Sequence, residues 1–389
     1  MDGELIRVLF ALLRFEIKGT KLCEDDKNLI TEDMLPALYK LSKKHDLAHL
    51  VGDALDRNGL LLDGSDAKKR FLQERNMAVY RYEQLRYELD CICGVLEETK
   101  IPFIPLKGAV IRQYYPEPWM RTSCDIDILV EERKLEAAVE VIKTRLGYDT
   151  EGEKTSHDIP LYSQGGVLVE LHFGLLEDEE RENVALSQIW EHTFTKEGVQ
   201  FHRIITKEAF YAYHIAHMMK HFEIGGCGIK PFIDLWVLDQ TIIEEEKTQK
   251  LLTLMGAKEF ARMAHRLSKA MAGEIEYERF TFAMQDYIVR GGVYGSKDNL
   301  VVARQTKQGG KGKYILRRVF PSYKTLAMQN PFLKKCPILY PFYILRRWAL
   351  LLFDKTVQER SKQELKIIKD LKKDEQITQE ELFKQLGIR

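Results

Sequence analysis

Two aspartates in the segment 122–130 have the spacing of a paired-carboxylate site. The segment reads Thr-Ser-Cys-Asp-Ile-Asp-Ile-Leu-Val, with its aspartates at positions 125 and 127. A β-strand sends alternate side chains to opposite faces, so Asp125 and Asp127 should share one face while the isoleucines face a core. Two like charges side by side on a strand repel each other unless a cation lies between them. The pattern therefore predicts a cation beside this strand.

A second segment, 167–173, repeats the alternation. Its apolar residues should face the core and leave Glu170 and His172 on the opposite face. If the two strands pair, Asp125, Asp127 and Glu170 converge, and Mg²⁺ or Mn²⁺ prefers such a cluster of carboxylate oxygens. We therefore predict a divalent metal site. In the metal-free protein, Asp127→Asn should relieve repulsion and leave the melting temperature unchanged or higher.

A short apolar strand is predicted at 101–106, before the strand that carries the two aspartates. Its prolines are typical of an edge strand or of the entry to a turn, and Lys107-Gly108 then forms that turn before a brief helix. After the double-aspartate strand, the segment 132–145 has apolar residues on one side of a predicted helix. Two or three strands should follow at 148–173.

The hydrophobic pattern divides the chain into three regions. Residues 1–98 and 207–389 have apolar residues at helical spacing, whereas 99–206 combines short strands with helices. We therefore predict an α+β fold, in which a small core with a mixed sheet is flanked by N- and C-terminal helical regions. At 389 residues the chain is long enough for two or three domains.

The overall composition argues against several classes of function. Lys and Arg together number 59, as do Asp and Glu, so the chain lacks the basic excess of a general nucleic-acid binder. The six cysteines are scattered and lack the spacing of a redox or zinc site. The N-terminus lacks the basic region of a signal peptide, and no run of about 18 apolar residues predicts a membrane span. We therefore expect a cytoplasmic protein.

Five motifs along the chain occur in a recognisable order. They are Pro105-Leu106-Lys107-Gly108-Ala109, Arg121 before Asp125-Ile126-Asp127-Ile128-Leu129-Val130, Val169-Glu170-Leu171-His172-Phe173, and the helical stretches 217–222 and 229–235. Together they resemble a bacterial family of uncharacterised nucleotidyltransferases within the polymerase-beta-like nucleotidyltransferase superfamily. The resemblance covers residues 75–260.

This resemblance implies an enzyme that moves a nucleotide from an NTP to a hydroxyl or phosphate group of an unidentified acceptor. In that fold, Asp125 and Asp127 hold two Mg²⁺ (or Mn²⁺) ions, and Glu170 completes one metal site. The implied catalytic residues are therefore these three acids. A glycine turn at a helix N-terminus receives the phosphates, which places Lys107 and Gly108 beside the triphosphate.

The phosphate turn departs from the superfamily pattern at one position. The superfamily has Gly-Ser or Gly-Gly there, whereas Gly108 is followed by Ala109, which offers no hydroxyl. Lys107 could substitute as a point charge for phosphate, and Arg121 or Ser123 could also reach it. His172 either lines the pocket or is a polar residue at a strand end. The predicted nucleotide-binding residues are Lys107, Gly108, Ala109, Arg121, Ser123 and His172.

The missing hydroxyl also supports an alternative function. In that alternative, the chain is a catalytically degenerate binding module that keeps the fold, lacks turnover and acts through a protein partner. The complete set of three acids favours the enzyme. Nucleotide binding without turnover of any acceptor would favour the module.

Two features of the C-terminal region have no assigned role. His214, His217 and His221 share a helical face, and we expect a partly buried, hydrogen-bonded face rather than a nucleotide-side or metal-binding role. Asp234 should be a structural partner of this face. The segment 337–353 combines aromatic residues with two adjacent arginines. We expect it to pack in a core, with an interfacial helix at an anionic membrane as the alternative.

Overall fold

A computed structural model gives the conformation of most of the chain. It describes residues 3–150, 154–175, 188–238, 241, 244–293, 295, 299–301, 303, 311–355, 357–359, 362 and 381–388. The chain divides into two compact units. The first contains Met1–Met219 and Ile229–Tyr277, and the second contains Lys220–Gly228 and Glu278–Arg389.

Five helices form within the described residues 3–98, as the helical spacing of apolar residues predicts. They are α1 (Gly3–Lys18), α2 (Glu24–Leu29), α3 (Leu35–Lys44), α4 (Ala48–Arg57) and α5 (Asp66–Glu98). Leu9, Leu12 and Leu13 of α1 are completely buried, because their spacing places them on one apolar face. The long helix α5 begins after Ser65, whose side chain accepts a hydrogen bond from the backbone N–H of Lys68.

A four-stranded mixed sheet follows in the described part of the chain. Its strands are β1 (Phe103–Pro105), β2 (Asp125–Val130), β3 (Asp158–Tyr162) and β4 (Leu168–His172), in the spatial order β1-β2-β4-β3. A short helix, α6 (Lys107–Ile111), connects β1 to β2. The β2–β4 pair is parallel, whereas the two outer pairs are antiparallel. In the parallel pair Asp127 lies directly beside Glu170.

Helices cover one face of this sheet. Helix α5 and helix α7 (Leu135–Leu146) pack against the strands through a cluster of buried apolar side chains. The cluster includes Ile92, Leu96, Leu135, Ile142, Ile126, Ile128, Val169 and Leu171. Neighbouring residues of a strand point to opposite faces, so burying these aliphatic side chains directs the acids to the other face. Helix α7 is followed by Gly147, whose φ of 70° lies in the left-handed region that favours glycine.

The remaining described elements are a short hairpin and a series of helices. The hairpin consists of β5 (Thr193–Thr195) and β6 (Arg203–Ile205). The helices are α8 (Lys207–Glu223), α9 (Lys230–Leu238), α10 (Glu245–Leu254), α11 (Lys258–Met271), α12 (Arg279–Gly291), α13 (Lys311–Val319), α14 (Tyr323–Gln329), α15 (Pro331–Lys335) and α16 (Tyr340–Phe353). Single 3-10 turns occupy Arg112–Tyr114, Pro118–Met120, Glu132–Lys134, Ile189–His192 and Pro337–Leu339.

The mixed sheet and its surrounding helices confirm the predicted α+β fold. The division into regions 1–98, 99–206 and 207–389 stays a prediction. Among the described residues, no helix is both long enough and apolar enough to cross a membrane.

The segment 337–353 packs against the preceding helices, as expected, but on one side only. None of its described side chains is buried. Tyr343 and Ile344 of α16 pack against a small apolar cluster, so this helix is covered on one side only. An aromatic composition predicts that a helix needs an apolar partner, but it does not indicate which element supplies one.

Candidate functional site

The central strands β2 and β4 place three acids on one face of the sheet. Asp125 and Asp127 alternate with buried isoleucines on β2, and Glu170 lies beside Asp127 on β4. Asp127 is almost completely buried, whereas Asp125 and Glu170 are partly exposed. We call these three residues the acidic site. It lies on the face opposite to the aliphatic cluster that packs against α5 and α7.

Two basic side chains contact the acidic site. Asp127 Oδ1 accepts hydrogen bonds from Lys107 Nζ at 2.7 Å and from His172 Nε2 at 2.9 Å. Glu170 Oε2 lies 3.7 Å from Lys107 Nζ and 3.4 Å from His172 Nε2. A lysine ammonium of the same chain therefore lies close to both Asp127 and Glu170. His172 lies inside the site and is not merely a polar residue at a strand end.

Neighbouring charges shift the pKa values of the two aspartates in opposite directions. Burial and the nearby Asp127 carboxylate raise the pKa of Asp125 to about 6. Burial would also raise the pKa of Asp127, but the Lys107 ammonium and the hydrogen bond from His172 outweigh it and hold that pKa below its ordinary value. The charge of Asp127 therefore stabilises the fold. Asp127→Asn should therefore lower the stability of the metal-free protein, so the unchanged or higher melting temperature expected from the sequence is wrong. The carboxylate whose charge is unfavourable is that of Asp125.

The donor atoms at this site suit a divalent cation. One ligand atom from each of Asp127, Glu170 and His172 lies within 4.8 Å of the other two. A second such group in the described part of the chain consists of His157, Asp158 and His172. Carboxylate oxygens are ligands of Mg²⁺ and Mn²⁺, and imidazole nitrogens are ligands of transition metals. The residues present therefore fit a metal ion.

The turn at the start of α6 brings a hydroxyl and a guanidinium next to Gly108. Lys107 has a φ of 42°, in the left-handed region, which directs the chain into the turn. Arg112 Nε donates to the Gly108 carbonyl oxygen at 2.8 Å, and Arg112 Nη2 donates to Ser123 Oγ at 2.8 Å. Ala109 offers no hydroxyl, but Ser123 supplies one at the same turn. Lys107, Gly108 and Ser123 are thus brought together.

A side chain at Gly108 should disturb this turn. A Cβ atom there would lie 3.0 Å from Ser123 Oγ and 3.3 Å from Arg112 Nη2, which is closer than ordinary van der Waals contact. We expect Gly108→Ala to lower the free energy of unfolding by about 1–3 kcal/mol, the usual range for overpacking. A urea titration followed by circular dichroism measures it.

The matched control for this change is Gly94→Ala. A Cβ atom at Gly94 would meet nothing within 4 Å, and the residue lies inside α5, where alanine is favoured over glycine. We expect this control to be neutral or stabilised. If Gly108→Ala were as stable as the control, the close packing of Ser123 and Arg112 around Gly108 would be refuted.

Arg121 belongs to a buried ion-pair network. Its Nε and Nη2 atoms donate to the two carboxylate oxygens of Asp234 at 2.7 and 2.9 Å. The Tyr115 hydroxyl donates to the same carboxylate, and Lys230 contacts Asp46. Asp234 is fully buried, so the pair fixes α9 to the segment before β2. The structure therefore places the guanidinium of Arg121 on Asp234 and not on the acidic site.

Two residues near the site were not predicted from the sequence. The first is Arg112, which a spacing of one helical turn from Gly108 could have indicated. The second is Tyr213 of α8, whose hydroxyl is buried and has no hydrogen-bond partner among the described residues. Burial raises the pKa of Tyr213, and the ring interacts electrostatically with Lys107 and Asp127. The sequence offers no signal for Tyr213, because the helix around it is largely apolar.

The histidines of α8 belong to no group of three potential metal ligands within the described residues. His214 Nε2 lies 3.3 Å from the Pro231 carbonyl oxygen and 3.9 Å from Asp234 Oδ2. Burial lowers the pKa of His214, which favours its neutral form. For His214, this is the buried, hydrogen-bonded arrangement expected from the sequence, and Asp234 has the structural role expected of it.

The acidic site lies in a part of the chain that matches a known protein family. Residues 32–273 match the family described as uncharacterised nucleotidyltransferase. No curated protein matches the chain. The crystal structure of an antigenic nucleotidyltransferase-like protein from Paracoccidioides brasiliensis aligns with a TM-score of 0.33 and 16% sequence identity, covering 50% of this chain and 95% of that chain. The range matched by the family contains the acidic site, Lys107 and the Gly108 turn.

Proposed function

Because the chain belongs to the family of uncharacterised nucleotidyltransferases, we propose that it is a metal-dependent enzyme. It transfers a nucleoside monophosphate from an NTP to a hydroxyl or phosphate group of an acceptor, and pyrophosphate is the leaving group. The observation that carries this proposal is the convergence of Asp127, Glu170 and His172, whose ligand atoms lie within 4.8 Å of one another. The charge of Asp125 is unfavourable in the metal-free protein, because burial and the neighbouring Asp127 raise the pKa of Asp125, and this points to a chemical use for that carboxylate.

Asp125, Asp127 and Glu170 would hold Mg²⁺ or Mn²⁺. The metal, when bound, would stabilise the negative charge that develops around the α-phosphate during attack by the acceptor. The chain holds the carboxylates in place, because Asp127 and Glu170 lie on hydrogen-bonded neighbouring strands, which position side chains more precisely than loops. His172 orients Asp127 through its hydrogen bond to Oδ1.

Lys107, Gly108 and Ser123 would receive the triphosphate. Gly108 has no side chain and so permits a close approach of a phosphate to the backbone. The Ser123 hydroxyl, which lies at the same turn, would replace the one that Ala109 lacks. The Lys107 ammonium lies on the carboxylates, and its long flexible side chain can turn from there to a phosphate. Arg121 would act indirectly, by holding the segment that leads into β2.

A labelling experiment tests the proposed transfer. The protein is incubated with Mg²⁺, a cell extract as the source of acceptors, and each NTP in turn, labelled at its α-phosphate. We expect the wild type to label an acceptor and the Asp125→Asn/Asp127→Asn double variant to label none. NTP binding without any labelled acceptor would contradict transfer and support the binding module. Equal labelling by the double variant would show that the aspartates are not catalytic.

Lys107→Met tests the role of the lysine in nucleotide binding. If the ammonium contacts the triphosphate, NTP affinity in the presence of Mg²⁺ should fall about 10- to 150-fold, equivalent to roughly 1.5–3 kcal/mol for a charge-assisted hydrogen bond. The melting temperature of the metal-free variant should also fall, because Asp127 loses its nearest cation. Calorimetric titration with NTP and a thermal melt measure the two effects.

The matched control is Lys134→Met, because Lys134 has an exposed side chain in the same unit. We expect this control to bind NTP as the wild type does. If Lys107→Met lowered the melting temperature but left the NTP affinity unchanged, the lysine would only neutralise the carboxylates. Phosphate binding would then depend on Ser123 and the turn.

A further inference from the structure

The segment 311–353 of the second unit carries an uneven share of the charge. It contains nine lysine and arginine residues and no aspartate or glutamate, although the whole chain has 59 residues of each sign. The rest of the chain therefore has an acidic excess, and positive charge is concentrated in this segment. Such a concentration attracts anionic partners over about a Debye length, roughly 8 Å at physiological ionic strength.

The same segment exposes large apolar side chains. It forms the four helices α13, α14, α15 and α16 within the described residues. Eight of its apolar residues are between 52% and 88% exposed, namely Leu316, Phe320, Phe332, Ile338, Phe342, Leu345, Leu352 and Phe353. Apolar side chains exposed together in this way indicate an interaction surface.

Helix α16 shows how this surface is organised. Tyr343 packs against a cluster of apolar side chains from α14 and α15. Trp348 Nε1 donates to a backbone carbonyl of α13 at 2.9 Å. Phe342 and Leu345, three residues apart and on one face of the helix, are instead exposed. The helix is therefore held by its neighbours on one side and presents an apolar strip on the other.

We propose that the segment 311–353 binds the surface of an anionic lipid bilayer. Amphipathic helices bind such a surface by burying apolar residues at the headgroup boundary while lysine and arginine attract the anionic lipids. A nucleic acid would complement the positive charge but would leave the exposed phenylalanines and leucines without an apolar partner. The bilayer surface complements both features. This inference does not depend on the activity of the acidic site.

Co-sedimentation of the full-length chain with lipid vesicles tests this inference. One set of vesicles contains phosphatidylcholine alone, and the other contains phosphatidylcholine mixed with phosphatidylglycerol. We expect at least about tenfold tighter binding to the anionic vesicles, because each lysine or arginine near such a surface contributes favourably. High salt should weaken this binding. Equal binding to both vesicles, or binding to neither, would overturn the proposal.

Replacing exposed apolar residues tests the second feature of the surface. The double variant Phe342→Ser/Leu345→Ser should bind anionic vesicles about tenfold or more weakly, since each of these side chains contributes apolar burial at the membrane. Leu62→Ser/Phe194→Ser is the matched control, because these side chains are exposed by 63% and 52% but lie in the first unit. A second test variant is Ile338→Ser. The Ile338 side chain is 88% exposed, so we expect this substitution to have little effect on folding.

Thermal melts establish that each variant is folded. If the apolar variants bound anionic vesicles as tightly as the wild type, the apolar strip would have no role and the proposal would fail. Displacement of the vesicles by heparin, together with unchanged binding of the apolar variants, would identify a general polyanion surface instead.

Discussion

Asp127→Asn should reduce nucleotide transfer by at least about 100- to 1,000-fold, the effect of losing a preorganised electrostatic group. The same change should lower the melting temperature of the metal-free protein. Asp127 accepts hydrogen bonds from Lys107 and His172, so an asparagine there leaves a largely buried ammonium without its counter-charge. Transfer of a labelled nucleotide and a thermal melt measure the two effects.

Asp125→Asn is the matched comparison for this change. It should also reduce transfer, but the melting temperature of the metal-free protein should hold or rise. Burial and the neighbouring Asp127 raise the pKa of Asp125 to about 6, so its charge is unfavourable at neutral pH. Below about pH 4, near the ordinary pKa of aspartate, the carboxyl is protonated in both folded and unfolded chains. The advantage of asparagine should therefore disappear as the pH falls.

Two results would contradict this account of the aspartates. Transfer by Asp127→Asn at the wild-type rate would remove that residue from catalysis. A shift of the melting temperature in the same direction for both variants would show that Lys107 does not distinguish the two carboxylates.

Arg121→Met should lower the free energy of unfolding by about 3–5 kcal/mol, the effect of breaking a buried ion pair. Both guanidinium hydrogen bonds to the fully buried Asp234 are lost, and methionine cannot replace them. Urea unfolding measures the change. Arg133→Met is the control, because the exposed Arg133 pairs with Glu131 at the surface, where a substitution usually changes stability by less than about 0.5 kcal/mol.

The same variant separates two roles for Arg121. A loss of stability supports the role that the ion pair with Asp234 indicates. If Arg121→Met had the stability of the wild type but bound NTP more weakly, the phosphate-binding role suggested by the sequence would be correct instead.

The fold was predictable where the pattern is local. Alternation in two short segments predicted two strands with acids on one face, and the structure pairs them with Asp127 beside Glu170. The α+β arrangement follows from the change between helical and strand spacing along the chain. These features depend on residues close together in the sequence, for which periodicity is a direct physical signal.

The site was less predictable where the contacts are between distant residues. Arg121 and Asp234 are 113 positions apart, and nothing near Arg121 indicates that it is buried against a carboxylate. Lys107 was expected at a phosphate, but its ammonium also reaches Asp127, 20 positions away. Tyr213 lies near the acidic site because of how α8 packs. The periodicity of apolar residues does not predict which elements a helix packs against.

Electron paramagnetic resonance of Mn²⁺ measures whether the acidic site binds a metal ion. Mn²⁺ is titrated into the wild type, and into the Asp125→Asn/Asp127→Asn double variant, in the presence of an NTP analogue that cannot be cleaved at the α-phosphate. Because the carboxylates are the proposed metal ligands, the wild type should bind Mn²⁺ together with the analogue. The double variant should leave the Mn²⁺ bound only to free analogue. Equal amounts of protein-bound Mn²⁺ in the wild type and the double variant would contradict the assignment of the acidic site as the metal site.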